Sequence, residues 1–391
     1  MSHEAVIISG ARTAIGTAYK GSLTETDPFV LGTAVVAEAV RRAGVDPDTV
    51  DDVVLGESLY GGGAIGRYVA IEAGLVNAPG IAHNRHCASG LSTLQSAAAS
   101  IMSGMDRIVV AGGVQSSSTA PKVNRRIPGS AEWEEDWLAP SHCETPDAPV
   151  RDMSITVGWN AAAKAGISRA RMDEWALRSH QRAIAAIDAG SFTDEIVPIQ
   201  VTRGDGATVT FAVDEHPRRT SSLEKLASLK PLHPDIDGFS ITAGNAAGVN
   251  DAAGAVVVAD RSVARARGIE PLAVVRAWAS VGLPPADTGL APAPAIEKVL
   301  DRAGLGVSDV ALWEINEAFA SVAVAATDTL GLDENTVNVL GSGCSLGHPV
   351  AMTGTRMVLS LVHELRRRGG GIGVAAMCAG GGMGTAVVLE V

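Results

Sequence analysis

The chain repeats itself. Arg42-Ala43-Gly44 returns as Arg302-Ala303-Gly304, and Asp52-Val53-Val54-Leu55-Gly56-Glu57 as Asp309-Val310-Ala311-Leu312-Trp313-Glu314. Cys344 follows Cys87 at that same spacing, and Ala111-Gly112-Gly113 is matched later by Ala379-Gly380-Gly381. One such match is noise, but four in the same order predict a duplicated unit. Two similar halves would pack together and share a site.

The unit itself reads as α/β. Ala5 to Ser9 is a buried strand, Pro28 to Ala43 an amphipathic helix stopped by Gly44, and Asp52 to Leu55 a second strand. Gly61-Gly62-Gly63 forms a loop before a helix over Gly66 to Ala73, and Ala82 to His86 leads into a helix that begins near Cys87. Asp106 to Gly113 is then a strand ending in a glycine turn. Strand and helix alternating at this spacing predict βαβ units and a largely parallel sheet. With 46% hydrophobic residues, 4% aromatics and 44 glycines, the core is built from Ala, Val, Leu and Ile packed around tight turns.

Between the halves the texture changes. Residues 119–150 are Pro-rich and polar, with Trp133 and Trp137 among acidic residues; Ile167 to Ala189 reads as a helix capped by Ser168. Asp214-Glu215-His216-Pro217-Arg218-Arg219 and Lys225 to Lys230 place cations in a loop and a short helix. The expected division is an N-terminal half over 1–118 continued at 240–266, an inserted loop domain over 119–239, and a C-terminal half over 267–391.

The formal net charge of −12 and the lack of a Lys/Arg block argue against nucleic acid as a partner. Cys87, Cys143, Cys344 and Cys378 are far apart in a 391-residue chain, which points to free thiols in a reducing compartment and offers no CxxC metal site. The first residues lack a basic and then apolar leader, and no stretch approaches the roughly 20 apolar residues of a membrane span. A soluble cytoplasmic protein is the expectation.

Reactive residues gather in glycine-rich segments. Cys87 falls at the mouth of the helix that starts near Leu91, where unpaired N–H groups and the helix dipole favour a thiolate. The alternative is a buried thiol acting as a small hydrophobe. Asn316-Glu317-Ala318-Phe319, Gly347-His348-Pro349 and Cys378-Ala379-Gly380-Gly381-Gly382 each have a plain structural reading as well: a cap, a turn histidine, a tight turn.

Taken with Asn84-Arg85-His86-Cys87-Ala88-Ser89-Gly90, these segments resemble the four motifs of the thiolases, in order and along almost the whole chain. Ala176 to Arg182 and Thr242-Ala243-Gly244-Asn245-Ala246 resemble further thiolase stretches. The resemblance implies a thiolase-like α/β fold, two duplicated βαβαβ-type halves whose sheets pack around shared central helices, with an inserted loop domain. It implies thiolytic cleavage of 3-ketoacyl-CoA by coenzyme A, or the reverse Claisen condensation, through a Cys87 acyl-enzyme. His348 would be the base that activates Cys87, Cys378 the acid and base at the departing enolate, and Asn316 the holder of a water. One oxyanion hole would be the N–H groups of Cys87 and Gly380, the other His348 with the Asn316-bound water.

Arg218, with Arg219 and Lys225 adjacent, matches the nucleotide end of coenzyme A, and Met153, Ala246 and Phe319 the pantetheine and acyl channel. The resemblance implies coenzyme A as substrate, no permanently bound cofactor, no metal, and a homodimer or homotetramer. A decarboxylating ketoacyl-synthase-like enzyme and a non-catalytic acyl-CoA-binding protein are the competing readings; the Cys378 motif argues against the first and the intact set of motifs against the second. Ala247, Asp152, Leu340, Ser342 and the run Val350-Ala351-Met352-Thr353 depart from the usual pattern and bear on acyl-chain preference.

Overall fold

The computed structural model describes residues 3–58 and 64–391, so the Gly61-Gly62-Gly63 loop lies outside the described residues. Its strands are β1 Ala5–Arg12, β2 Asp52–Gly56, β3 Gly80–His83, β4 Ile108–Gln115, β5 Asn250–Asp260, β6 Ala273–Gly282, β7 Val310–Ile315, β8 Ile372–Ala379 and β9 Met383–Glu390. Its main helices are α1 Pro28–Ala43, α2 Ala64–Glu72, α3 Ser89–Ser103, α4 Arg169–Asp188, α5 Pro292–Ala303, α6 Ala320–Leu330, the single turn α7 Gly343–Leu346, and α8 Thr353–Arg367.

The strands run β7-β8-β9-β6-β1-β5-β4-β2-β3, and the short strand Gly16–Thr17 pairs with β5. The duplication is visible in this order, because each half mirrors the other outward from β1 and β6. Moving out, β1 and β5, then β5 and β4, pair antiparallel, and β4 with β2 parallel. The sequence β6, β9, β8, β7 repeats those senses. The halves meet where Val6 and Ile7 pair with Val274 and Ala273.

Parallel pairing is therefore confined to β2 with β3 and β4, and to β7 with β8. The expected largely parallel sheet is corrected to a mixed one. Of the antiparallel pairs, β8 and β9 follow from a direct turn through Gly380–Gly382 with no crossover helix between them.

Strands in the middle of this sheet are buried on both faces, and successive residues serve different layers. On β1, Val6 and Ile8 pack with α1 and α2, through Leu31, Val35, Ile65 and Val69. Ala5 and Ile7 face the opposite way, onto Leu91, Leu94 and Ile101 of α3 and Met357, Leu361 and Leu365 of α8. The same central cluster takes in Leu312, Ala375, Met377 and Val387 of the second half. Trp313, Ile315, Val374 and Val388 turn outward onto α4, α5 and α6. Helices α3 and α8 are thus shared between the two halves, as the resemblance implied.

Two of the repeat matches do not survive in three dimensions. Cys87 stands two residues before α3, but Cys344 lies inside α7, nine residues before α8, the helix in the equivalent place. Ala111-Gly112-Gly113 is interior to β4, whereas Ala379-Gly380-Gly381 runs off the end of β8. Gly112 and Gly113 are not a turn either: a Cβ on Gly113 would sit 2.1 Å from the carbonyl oxygen of Ala351, so glycine there admits the loop before α8.

Residues 119–150 hold two two-residue strands, Arg125–Arg126 and Trp133–Glu134. Ser168 caps α4 by accepting the Arg171 N–H, and a one-and-a-half-turn helix covers Leu223–Ala227. Among the described residues no helix is long and apolar enough to cross a membrane.

Candidate active site

The second half supplies three of the expected groups. Asn316 follows β7 directly, and its amide donates to the Ala376 carbonyl of neighbouring β8, which ties it to the sheet end. His348 follows Gly347, whose φ is +100° and whose missing Cβ would lie 2.4 Å from Asn250 Oδ1. That oxygen accepts the His348 N–H at 3.0 Å. Glycine at 347 is thus required by both backbone angle and space. Cys378 is the penultimate residue of β8, buried, and packed with Val157, Ala318 and Val322.

The imidazole is oriented. His348 Nδ1 lies 2.7 Å from Thr353 Oγ1, while that hydroxyl donates to the Pro349 carbonyl at 3.1 Å. A hydroxyl has one proton, so Thr353 accepts from Nδ1–H, and Nε2 is left as the basic nitrogen. Nε2 is buried with no hydrogen-bond partner in the protein, as is Asn316 Oδ1. Asn316 Nδ2 stands 3.5 Å from His348 Nδ1; with Nδ1 protonated both are donors, so this approach is not a hydrogen bond. Buried polar atoms left bare at one spot are what a reactant or water would satisfy.

Cys87 joins this group from the first half. The backbone N–H groups of Gly380 and of Cys87 itself favour the ionised sulfur, and Cys87 lies close enough to Cys378 to raise its pKa. Burial outweighs those donors and pushes the Cys87 thiol up to about 11. The expectation that the helix start lowers this pKa is corrected by desolvation, and two N–H groups at that start, Ala88 and Ser89, donate instead to the carbonyls of Arg85 and His86. Burial also raises Cys378, with Cys87 adding to it, and pushes His348 down to about 4, aided by Arg356. At neutral pH the Cys87 thiol is protonated and the His348 imidazole unprotonated.

The expected channel residues divide. Met153 and Phe319 pack onto the Cys378 cluster, and Ala246 is bridged to Phe319. Gly158 abuts the Phe319 ring, where a Cβ would come within 2.7 Å. Arg218 lies apart, exposed, with its amide donating to His180 Nδ1 at 3.2 Å. Among the described residues no ion pair holds the Arg218 guanidinium. Arg219 is engaged by Asp188 at 2.5 and 2.9 Å, and Lys225 Nζ by the Thr220 carbonyl. Asp152 is paired too, with His233 Nε2 at 2.7 Å. All four cysteines are free, and no cluster of three or more His, Cys, Asp or Glu among the described residues is placed to hold a metal ion.

Several supporting residues escaped the sequence reading. Glu317 is buried and accepts from Trp175 Nε1, Ser179 Oγ, Asn338 Nδ2 and the Cys344 N–H. It anchors α7, which leads to His348, and the pattern Asn316-Glu317 signalled it without saying what it holds. Asn250 has no local signal, since its partners His348 and Gly16 are far away in the chain; Thr353 bonds His348 and Pro349 within the same turn.

Family models match both halves: "Thiolase, N-terminal domain" over residues 5–262 and "Thiolase, C-terminal domain" over residues 269–391. The chain is 42% identical to the beta-ketothiolase BktB of Cupriavidus necator, all of both chains being covered. It is 40% identical to the 3-ketoacyl-CoA thiolase of Bacillus subtilis, over 99% of each. Among solved structures, the acetyl-CoA acetyltransferase of Bacillus anthracis superposes with a TM-score of 0.90 at 38% identity, covering 100% of this chain and 99% of that one. Human mitochondrial 3-ketoacyl-CoA thiolase superposes at 0.91 and 36% identity, over 99% of each.

Proposed function

The chain belongs to the thiolase family and is an acyltransferase, and from that premise we propose that it cleaves 3-ketoacyl-CoA with coenzyme A, reversibly, through an acyl-enzyme on Cys87. The observation that carries this reading is the closeness of Cys87 to Cys378 and to the Gly380 backbone, together with a buried His348 whose Nε2 has no hydrogen-bond partner in the protein.

In the degradative direction the Cys87 proton passes to His348 Nε2 as the sulfur attacks the keto carbon. Because the resting thiol is protonated, the thiolate forms at the moment of attack and is not stored. The alkoxide that develops meets preorganised donors, and its collapse breaks the carbon–carbon bond. Acetyl-CoA leaves as an enolate that takes the Cys378 proton. Coenzyme A then gives its thiol proton to Cys378, attacks the acyl-enzyme, and displaces Cys87, which recovers its proton from His348. We assign the oxyanion holes to the Cys87 and Gly380 amides and to His348 with a water on Asn316. Run backwards, the same residues condense acetyl-CoA with an acyl-CoA.

Met153, Phe319 and Ala246 line the acyl and pantetheine channel in this reading. Arg218 meets the nucleotide end of coenzyme A; its freedom from ion pairs favours it over Arg219. No resident cofactor or metal enters the scheme. A homodimer or homotetramer and a cytoplasmic location complete it; a rat relative, 39% identical, bears the name "Acetyl-CoA acetyltransferase, cytosolic".

The test is a chain-length series of 3-ketoacyl-CoA substrates with free coenzyme A, followed by loss of enolate absorbance. Turnover is expected at one or more lengths, and none at any length would overturn the reading. Cys87→Ala should abolish labelling by an acyl-CoA, while Cys378→Ala should still be labelled on Cys87.

A further inference from the structure

One carboxylate joins the inserted segment to the expected acyl channel. Asp152 Oδ1 accepts the Ser154 N–H at 3.0 Å and the Ser154 hydroxyl at 2.6 Å, which starts the turn that follows. Its other oxygen, Oδ2, accepts from Nε2 of His233, a residue distant in the chain, at 2.7 Å. The side chains of Asp152 and His233 are 33% and 28% exposed, so the pair stands at a rim. The turn itself, Ser154–Trp159, is wound as a π-helix, a rare form that occurs frequently at functional sites.

The far end of that turn is held by the same loop. The Phe239 ring packs on Trp159 with centroids 5.3 Å apart, and edge-on against the His233 ring at 4.9 Å and 78°. The loop between them is closed on itself: the Ile236 N–H donates to the His233 carbonyl at 3.3 Å, and the Phe239 N–H to the Ile236 carbonyl at 3.1 Å. Asp152, His233, Phe239 and Trp159 thus complete a circuit that pins the turn at both ends. Within it, Met153 and Val157 pack in the cluster that holds Cys378, and the Gly158 carbonyl accepts the Ser321 hydroxyl of α6 at 2.8 Å.

We propose that Asp152 and His233 are positioning residues for substrate selection: their contact fixes the turn over residues 153–159, and with it the place of Met153 and Val157 in the channel wall beside Cys378. The inference rests on the reading of that cluster as the acyl channel of a thiolase. A part-exposed ion pair adds little to global stability. A close-packed wall is less forgiving, since a small displacement changes how acyl chains of different length fit against it.

The experiment compares His233→Phe, which keeps a ring against Phe239 and removes the donor, with His233→Gln, which keeps an N–H donor. Asp152→Ser keeps an oxygen for the Ser154 N–H but is too short to reach His233. Hydrogen exchange of the peptide over residues 153–159, in enzyme without substrate, is expected to quicken about threefold to fivefold in His233→Phe and Asp152→Ser, the scale of one part-exposed ion pair. In the same variants the ratio of kcat/KM for a long over a short 3-ketoacyl-CoA should shift by as much, through KM, with kcat on the short substrate within about twofold. His233→Gln should follow the parent. Combining His233→Phe with Asp152→Ser should lose no more than either alone, because both break one contact. Exchange that superposes on the parent would overturn the proposal, as would unchanged chain-length selectivity in an active enzyme or additive losses in the double variant. A parent that turns over no 3-ketoacyl-CoA would instead overturn the thiolase reading and this inference with it, an outcome told apart by the parent alone.

Discussion

His348 and Thr353, five residues apart, are joined by a 2.7 Å contact between Nδ1 and Oγ1. That contact selects the tautomer with Nε2 free, and it is made by a residue from the run after His348-Pro349 that departs from the family's usual pattern. Replacing Thr353 by Val keeps the shape and removes the acceptor. Its kcat is expected to fall about tenfold or more, part of the 10²- to 10⁴-fold that a placed base supplies. Steady-state kinetics with unchanged thermal stability would establish it; an unchanged kcat would refute it.

Glu317 has four donors aimed at its two oxygens. Glu317→Gln turns one oxygen into an NH2 group, which faces donors and leaves at least one buried group unpaired. A loss of about 1–3 kcal/mol is expected, measured as a lower urea midpoint. Activity should drop as well, because α7 carries the chain to His348.

Gly113→Ala and Gly44→Ala make an internal comparison. At 113 the new methyl meets the Ala351 carbonyl at 2.1 Å, backbone against backbone, whereas at 44, the C-cap of α1 with φ +62°, it meets nothing within 4 Å. Overpacking at 113 should cost about 1–3 kcal/mol or more and displace the loop before α8. Gly44→Ala should cost about 1 kcal/mol, from backbone preference alone. Differential scanning calorimetry separates them, and equal melting temperatures would contradict the packing argument.

Burial pushes His180, His216 and His348 each down to about 4. The unfolded chain binds their protons at about pH 6.5. Stability from these groups is therefore complete above pH 6.5 and is lost as pH falls toward 4. Glu314, raised by burial to about 7, acts oppositely, gaining its share as pH falls. Three histidines outweigh one carboxyl, so the thermal midpoint should drop between pH 7 and pH 4.5. His180→Gln should flatten that drop; a midpoint that rises on acidification would exclude the account.

Much of the fold can be read along the chain because its signals are local. The bounds of α1, its stop at Gly44 and the cap at Ser168 follow from residues within one turn. Strand sense is another matter. Asp106 to Gly113 reads as a parallel crossover strand, yet Ile108–Gln115 has an antiparallel neighbour, because pairing depends on where the chain returns. The repeat predicted two halves and also paired Cys87 with Cys344, which the helices separate.

The sequence by itself determined the chemistry on offer: a cysteine before a helix, a histidine in a glycine turn, a second cysteine at a strand end, and two halves to bring them together. Tertiary structure decided their state. Burial holds the Cys87 thiol protonated where the helix start suggested a thiolate, and Asn250 and Glu317 orient groups through contacts that no local pattern encodes. Desolvation and long-range hydrogen bonds are properties of surroundings assembled from distant segments, so they come into being only when the chain has folded.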